Sequence, residues 1–287
     1  MDTLLLQLLN SLSYGFLLFI ITCGISIVFG ILGVLNLAHG SIYLLGSYIG
    51  YSVIMKAGMP FWVAILAVPL IIAALGFLIE IVLLRPTYKL GHLSQVLLTF
   101  GLVYIFHDLF TMIWGKDVLS VNPPEALSSS IEMLGFTFPA YRLALIVIGA
   151  IIVLFLWYGQ EKTKWGAVVR AGLSDKEMAG ALGINIHLVF TLVFVFGSLL
   201  AGLGGVLGAP ILGTYPGMEF SILILSLVVL VVGGLGSVSG TFMASLLVGF
   251  VETFSRYLVP ELSLIITFAL MAVVLVVRPQ GLVGRKA

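Results

Sequence analysis

Long apolar runs alternate with short polar segments along the whole chain. A helix that crosses a membrane needs about 20 apolar residues. Six long runs occupy residues 12–35, 61–84, 93–114, 143–158, 188–212 and 263–277. Three shorter or glycine-broken runs occupy residues 42–55, 221–232 and 241–254. The pattern predicts an all-α polytopic membrane protein in which residues 1–287 form a single transmembrane domain. We expect about 8 (7–9) transmembrane helices, some of them broken or re-entrant.

The longest polar interruption is residues 160–185, which carries charges of both signs between two apolar runs. Ser174 is a predicted helix cap, and Glu177, three residues later, is able to reach back to the capping residue's amide. We expect a helix at 175–182, ended by Gly183 in the left-handed conformation. A helix of about two turns is unstable alone in water, so we expect it to dock against a partner surface.

The composition excludes a soluble globular domain. The chain has 287 residues, of which 61% are hydrophobic and only 9% charged, with a mean hydropathy of +1.25. The net charge of +1 gives no indication of a nucleic-acid partner. A single cysteine, Cys23, excludes an internal disulfide and a cysteine-based metal cluster.

Lys and Arg residues predict the orientation, because cytoplasmic loops of membrane proteins are enriched in them. The basic residues Arg85, Lys89, Arg278, Arg285 and Lys286, together with segment 160–185, mark inner loops. Segment 115–140 has Lys116 as its only basic residue and also contains a Pro-Pro pair, so we expect an outer loop. This assignment puts the C-terminus in the cytoplasm and, with nine full crossings, the N-terminus outside.

A polar break separates two apolar runs at residues 36–41, Asn-Leu-Ala-His-Gly-Ser. Polar groups at membrane depth are costly and usually face protein or water. One interpretation is a discontinuous helix whose exposed backbone and polar side chains line a solute path. The alternative is a plain inner loop, in which Asn36 ends one helix and Ser41 starts the next. A second glycine-rich break, 233–240, is too loose for a helix interior and predicts a turn or an unwound segment.

Other polar residues inside the apolar runs predict structural roles. Glu252 and Arg256 stand four residues apart with the acid first, which favours an ion pair on one helix surface. Asp108 lies toward the outer end of its run, next to His107, and Glu80 lies near a membrane end with no special role expected. These residues form no set suited to ion coupling.

Motifs for catalysis are missing from the sequence. It has no H-E-x-x-H zinc motif and no G-x-S-x-G nucleophile motif, so we expect no catalytic residues, no metal site and no enzyme activity. It also has no G-x-x-x-x-G-K-[ST] loop for ATP. If ATP drives transport, the ATPase must be another polypeptide, and the chain itself needs no cofactor.

Five blocks in order resemble the branched-chain amino acid ABC permease family, in particular the shorter of its two permease types. They are NLAHGSIYLLGSYIGY (36–51), RAGLSDKEMAGALGIN (170–185), GSLLAGLGGVLGAPI (197–211), VVLVVGGLGSVSGTFMASLLVGFVET (228–253) and VRPQGLVGR (277–285). Within the second block, Glu177 to Gly183 matches the spacing of the E-A-A-x-x-x-G motif of ABC importer permeases, with Met178 in place of the middle alanine. The outer loop and the N-terminal residues match least.

The resemblance implies a permease subunit in a bacterial cytoplasmic (inner) membrane. Its implied partners are a second, related permease in a heterodimer, two cytoplasmic ATP-binding subunits that hold ATP and Mg, and an extracytoplasmic substrate-binding protein. The coupling helix that docks on an ATP-binding subunit is then formed by Ser174, Asp175, Lys176, Glu177, Met178, Ala179, Ala181, Leu182 and Gly183. The solute path is implied at Asn36, His39, Gly40 and Ser41.

Several functions stay open at this point. The cargo is a branched-chain or another hydrophobic amino acid, or, in a permease of the same family, urea, a short amide or an aromatic acid. A secondary transporter or channel would follow an ion gradient and survive ATP depletion. Uptake of labelled solutes and purification of the complex distinguish these possibilities.

Overall fold

The computed structural model describes residues 2–33, 35–133, 136–174 and 176–283. Almost all of the regular structure in these residues is helical, as the apolar runs predict. The helices are α1 (Asp2–Leu32), α2 (His39–Tyr51), α3 (Phe61–Ile79), α4 (His92–Trp114), α5 (Ala140–Lys162), α6 (Lys164–Ser174), α7 (Lys176–Ala181), α8 (Ile186–Leu212), α9 (Met218–Gly233), α10 (Val238–Leu258) and α11 (Ser263–Val277). Two short strands, β1 (Ser130–Met133) and β2 (Phe136–Pro139), pair antiparallel in the loop between α4 and α5. This hairpin is absent from the sequence-based prediction.

Within the described residues, seven helices are long and apolar enough to cross a membrane, and α9 is a shorter apolar helix. A π-helical turn, Ser52–Lys56, extends α2, and a second one, Glu80–Leu84, extends α3. The number of spans agrees with the predicted range. The first helix is longer than expected, because α1 begins at Asp2 rather than near residue 12.

The two ends of the bundle are distinguished by their loops. At one end, the α6–α7 end, the Arg85 guanidinium donates to Thr191 Oγ1 over 2.6 Å, which joins the end of α3 to the start of α8. The Leu282 amide donates to the Val232 carbonyl there, so the residues after α11 lie beside the end of α9. At the opposite end, the hairpin end, Arg142 donates to Asn10 Oδ1. The loops predicted to be inner therefore share one end, while the side of the membrane stays a prediction.

The core is built around α1, which packs on both α8 and α10. Small residues allow this close packing, since tight contact replaces the hydrophobic drive inside a membrane. A Cβ atom at Gly205 of α8 would lie 2.3 Å from the Tyr43 carbonyl oxygen of α2, so only glycine fits there. The predicted turn within 233–240 is confirmed, because α9 ends at Gly233 and α10 begins at Val238.

Two helix triplets run through the bundle in opposite directions. In each, a long helix is followed by a break, a short helix and another long helix: α1–α2–α3 and α8–α9–α10. The triplets interlock, with α8 packed on α3 and α1 packed on α10. Inverted repeats of this kind are common in transporters and place broken helices at the middle of the membrane.

Candidate functional site

The predicted docking helix is present at the α6–α7 end. It is α7, and its C-terminal end is closed by two backbone hydrogen bonds, from the Ile184 amide to the Ala179 carbonyl and from the Gly183 amide to the Gly180 carbonyl. Gly183 has φ +85°, the left-handed conformation that this helix ending requires. The predicted position of the helix end is confirmed. Asp175 and the side chains of Ser174, Lys176 and Glu177 lie outside the described residues, so the cap at Ser174 stays a prediction.

Helix α7 has one face turned inward and one turned outward. Ala179 is buried, and Ile184 in the following loop packs against the main hydrophobic core. On the outward face, Met178 is 59% exposed and Leu182 75% exposed, and Ala181 is also exposed. Apolar side chains displayed on a short surface helix suit the docking of another protein.

The loop before α7 contains an additional helix that the sequence patterns did not predict. Helix α6 follows α5 after a single residue, Thr163, whose hydroxyl accepts from the Gly166 amide over 3.1 Å. Val168 and Val169 of α6 pack against the main core, and Arg170 donates to the Gln160 carbonyl. Helix α6 is therefore fixed to the rest of the protein by the packing of its valines and by the hydrogen bond of Arg170. Because α6 directly precedes α7, α7 is connected to a packed helix and not to a free loop.

A buried carboxylate network lies next to this loop. Glu80 is fully buried and accepts from Arg85 Nη2 at 3.0 Å, from Thr191 Oγ1 at 2.9 Å and from Tyr88 Oη at 3.1 Å. The expectation that Glu80 has no special role is therefore wrong. It connects α3 to α8 five residues after α8 begins.

The break at 36–41 is confirmed as a discontinuity near the middle of the bundle. The side-chain oxygen of Asn36 accepts from the Ala38 amide at 3.1 Å and so shapes the turn that starts α2. His39 Nε2 donates to the Ile21 carbonyl of α1 at 2.8 Å. Because α2 begins beside Ile21, in the interior of α1, the structure favours a discontinuous helix over a plain inner loop.

Each residue of the predicted path is buried in the single chain: Asn36, His39, Gly40 and Ser41. A Cβ atom at Gly40 would lie 2.2 Å from the Glu219 carbonyl oxygen, so the first turns of α2 and α9 touch each other. The Ser41 hydroxyl has no hydrogen-bond partner among the described residues. Asn36 borders a narrow cavity together with Gln95 and Thr99 of α4. The four residues thus lie where two helix N-termini meet, with polar neighbours on one side.

A second ionisable pair lies beside this meeting point and was not predicted. His107 Nδ1 of α4 is 2.6 Å from Glu219 Oε1, and the other Glu219 oxygen accepts from the Gly217 amide at 2.8 Å. Glu219 is fully buried at the start of α9, where a negative charge is favoured by the helix dipole. The two residues are 112 positions apart in sequence, so no spacing rule connects them.

Charged residues also gather at the hairpin end. Glu252 Oε1 accepts from Arg256 Nε at 2.7 Å, which confirms the predicted pair, and Thr267 donates to Glu252 Oε2 at 2.6 Å. Glu252, Arg256 and Arg142 border a depression with a volume of about 330 Å³. Among the described residues, no group of three or more metal-binding side chains is found.

Comparison with known proteins identifies the family to which these features correspond. The family model described as "Branched-chain amino acid transport system / permease component" matches residues 7–275. The chain is 29% identical to the high-affinity branched-chain amino acid transport system permease protein LivH of Salmonella typhimurium, over 97% of this chain and 95% of that protein. It is 28% identical to the corresponding BraD protein of Pseudomonas aeruginosa, over 97% and 95%.

A second type of relative also matches. The permease protein LivM of Escherichia coli K12 is 25% identical, over 92% of this chain and 67% of LivM. No solved structure matches the chain.

Proposed function

The chain belongs to the family of branched-chain amino acid transport system permease components, and from this premise we propose that it is the membrane-spanning permease subunit of a binding-protein-dependent ABC importer. It translocates branched-chain or other hydrophobic amino acids, and separate ATP-binding subunits supply the energy. The observation that carries this proposal is α7, a six-residue helix with exposed Met178 and Leu182 and an inward-facing Ala179. A helix this short is stable only when packed, which suits a groove in an ATP-binding subunit.

The structure offers a route by which motion of α7 reaches the membrane helices. Only residues 182–185 separate α7 from α8. One and a half turns into α8, Thr191 bonds to Glu80, and Arg85 bonds to both of them. A push on α7 is therefore transmitted to the ends of α8 and α3 together. Coupling of this kind requires packed, hydrogen-bonded elements between the two sites.

We further propose that solute arrives at the hairpin end, opposite α7. The depression there contains Arg142, Arg256 and Glu252, which provide polar contacts for an extracytoplasmic substrate-binding protein. Solute then passes the α2/α9 meeting point, where Asn36, His39, Gly40 and Ser41 lie. Selectivity is set largely by the delivery protein, so these residues need no tight binding of solute.

The decisive experiment is the substitution Gly183→Val in the assembled transporter. A side chain at φ +85° strains the end of α7 by about 1–2 kcal/mol, which lowers the population of this helix-ending conformation by about 5- to 30-fold. We expect ATP hydrolysis to continue without matching uptake of labelled leucine, while the complex still assembles in the membrane. Gly58→Val is the matched control, since Gly58 also has positive φ and open space around it but lies outside the α6–α7 end. Normal substrate-stimulated uptake by Gly183→Val contradicts the proposal.

The cargo is tested by uptake of labelled leucine, urea, a short amide and an aromatic acid. The names of the relatives favour the branched-chain amino acid. Uptake that survives ATP depletion and follows an ion gradient contradicts an ATP-driven importer and favours a secondary transporter or channel.

A further inference from the structure

The sides of the bundle differ in chemistry, and most of them suit contact with lipid. The exposed side chains of α3 and α11 are apolar throughout, and those of α5 are apolar as far as Tyr158: Trp62, Val63, Leu66, Leu70, Ile71, Ala74, Phe77 and Leu78 on α3; Val147, Ile151, Leu154, Phe155, Trp157 and Tyr158 on α5; Leu264, Ile265, Phe268, Ala269, Ala272, Val273, Val276 and Val277 on α11. Such surfaces are compatible with the hydrocarbon core of a bilayer.

Helix α4 is different, because it exposes a carboxylate within its span. Asp108 is exposed and stands six residues before Trp114, which ends the helix. At 1.5 Å per residue it lies about 9 Å from that end. The short side chain of aspartate cannot extend over this distance to the aqueous boundary, as a lysine or arginine side chain does. A carboxylate at such a depth is expected to face protein or a water-filled path.

Both polar and apolar side chains surround Asp108 on this side of the bundle. Tyr104 is exposed one turn before Asp108, and the His107 side chain is partly exposed. The Phe220 ring of α9 contacts both, with ring centroids 6.1 Å from those of Tyr104 and His107. We call Tyr104, Ile105, Asp108 and Met112 of α4, with Phe220 of α9, the α4/α9 surface.

We propose that the α4/α9 surface is covered by a second permease chain, related to this one but not identical, and that this chain presents a hydrogen-bond donor or a base to Asp108. The inference rests on the proposed function and on the second, related permease that the family resemblance implies. The match of this chain to both LivH and LivM supports a partner of related sequence. The charge of Asp108 identifies which side of the bundle that partner occupies, since the apolar sides need no partner.

The proposal is tested by a photoreactive amino acid placed in the assembled complex at Ile105, which is 57% exposed, or at Met112. Matched controls are Leu70 of α3 and Leu154 of α5, which are 63% and 64% exposed. We expect illumination to attach a second permease at positions 105 and 112 and to attach none at the controls. Peptide mass spectrometry must identify the attached chain as a different member of the same family. Attachment of that permease at the controls instead, or of a second copy of this chain at Ile105, overturns the proposal.

Substitution of Asp108 provides an independent measurement. With Asp108→Leu we expect loss of the second permease from the purified complex, and with Asp108→Asn, which retains hydrogen bonding, we expect most of it to remain. Asp117→Leu, in the exposed loop after α4, is the control. If Asp108 faced lipid, leucine would leave assembly unchanged or improve it, and that result overturns the proposal. ATP-dependent uptake by the unmodified transporter is measured in parallel: its absence contradicts the proposed function, whereas the attachment pattern reports on the interface alone.

Discussion

Glu80 and Arg85 illustrate what a spacing rule detects and what it misses. The usual helical ion pair joins residues three or four positions apart, and these two are five apart. The π-helical turn Glu80–Leu84 closes its backbone hydrogen bonds at that wider spacing, with the Arg85 amide donating to the Glu80 carbonyl. The π-helical turn thus places the side chains of Glu80 and Arg85 on the same side of the helix. The pair at Glu252 and Arg256 has ordinary spacing on a regular α-helix, and it was predicted correctly.

A substitution of Thr191 tests whether the hydrogen-bond network around Glu80 contributes to stability and coupling. The change Thr191→Val preserves shape but removes the hydroxyl that donates to the Glu80 carboxylate, and a hydrogen bond to a charged group contributes about 1.5–3 kcal/mol. We expect a lower thermal unfolding midpoint for the purified protein in detergent and weaker coupling of ATP hydrolysis to uptake. Thr111→Val is the control, because that hydroxyl donates to the His107 carbonyl within its own helix. Equal midpoints for the two variants would show that the network contributes little.

At the scale of elements, the length of an apolar run predicted the bounds of the long helices well and those of the short helices less well. Helix α11 coincides with the predicted run 263–277, since an exposed helix in lipid must be apolar along its entire length. Helices α2 and α9 are short because each starts inside the bundle, where nearby side chains accept from the backbone amides: Asn36 from the Ala38 amide and Glu219 from the Gly217 amide. The contact of Gly40 with the Glu219 carbonyl, which fixes their meeting point, joins residues far apart in sequence. Local patterns carry no information about such a contact.

The start of α2 allows a test of the predicted path. The change Asn36→Leu removes the acceptor for the Ala38 amide and one polar wall of the cavity beside Gln95 and Thr99. A net contribution of about 0.5–1.5 kcal/mol is expected for one such hydrogen bond. We therefore expect a folded protein with reduced uptake of labelled leucine and unchanged affinity of the substrate-binding protein for its solute.

Two further substitutions help to interpret the result for Asn36→Leu. Asn36→Ser keeps a side-chain acceptor near the same amide and should recover part of the uptake. His39→Leu removes the donor to the Ile21 carbonyl and should also reduce uptake. Full uptake by Asn36→Leu and His39→Leu would mean that the break is a structural turn and lies outside the solute path.

For the molecule as a whole, most of the basic residues and the exposed apolar face of α7 are found at the α6–α7 end, and both bear on its orientation in the membrane. Among the described residues, the α6–α7 end contains Arg85, Lys89, Lys162, Lys164, Arg170 and Arg278, whereas the hairpin end contains Lys56, Lys116, Arg142 and Arg256. The same basic end carries the exposed apolar face of α7. Basic loops are retained in the cytoplasm, and the ATP-binding subunits of the proposed importer also work there. Both properties support the prediction that the α6–α7 end is cytoplasmic.

Cysteine labelling tests this orientation directly. Cys23 is fully buried, so Cys23→Ser is a suitable background in which to introduce Lys116→Cys in the outer loop or Lys162→Cys at the end of α5, two exposed positions. In spheroplasts, a membrane-impermeant maleimide should label Lys116→Cys strongly and Lys162→Cys only at background level. Both should react once detergent opens the membrane, which controls for local reactivity. The reverse pattern would place α7 outside the cell, where no ATP-binding subunit could dock on it, and would refute the orientation and the proposed importer together.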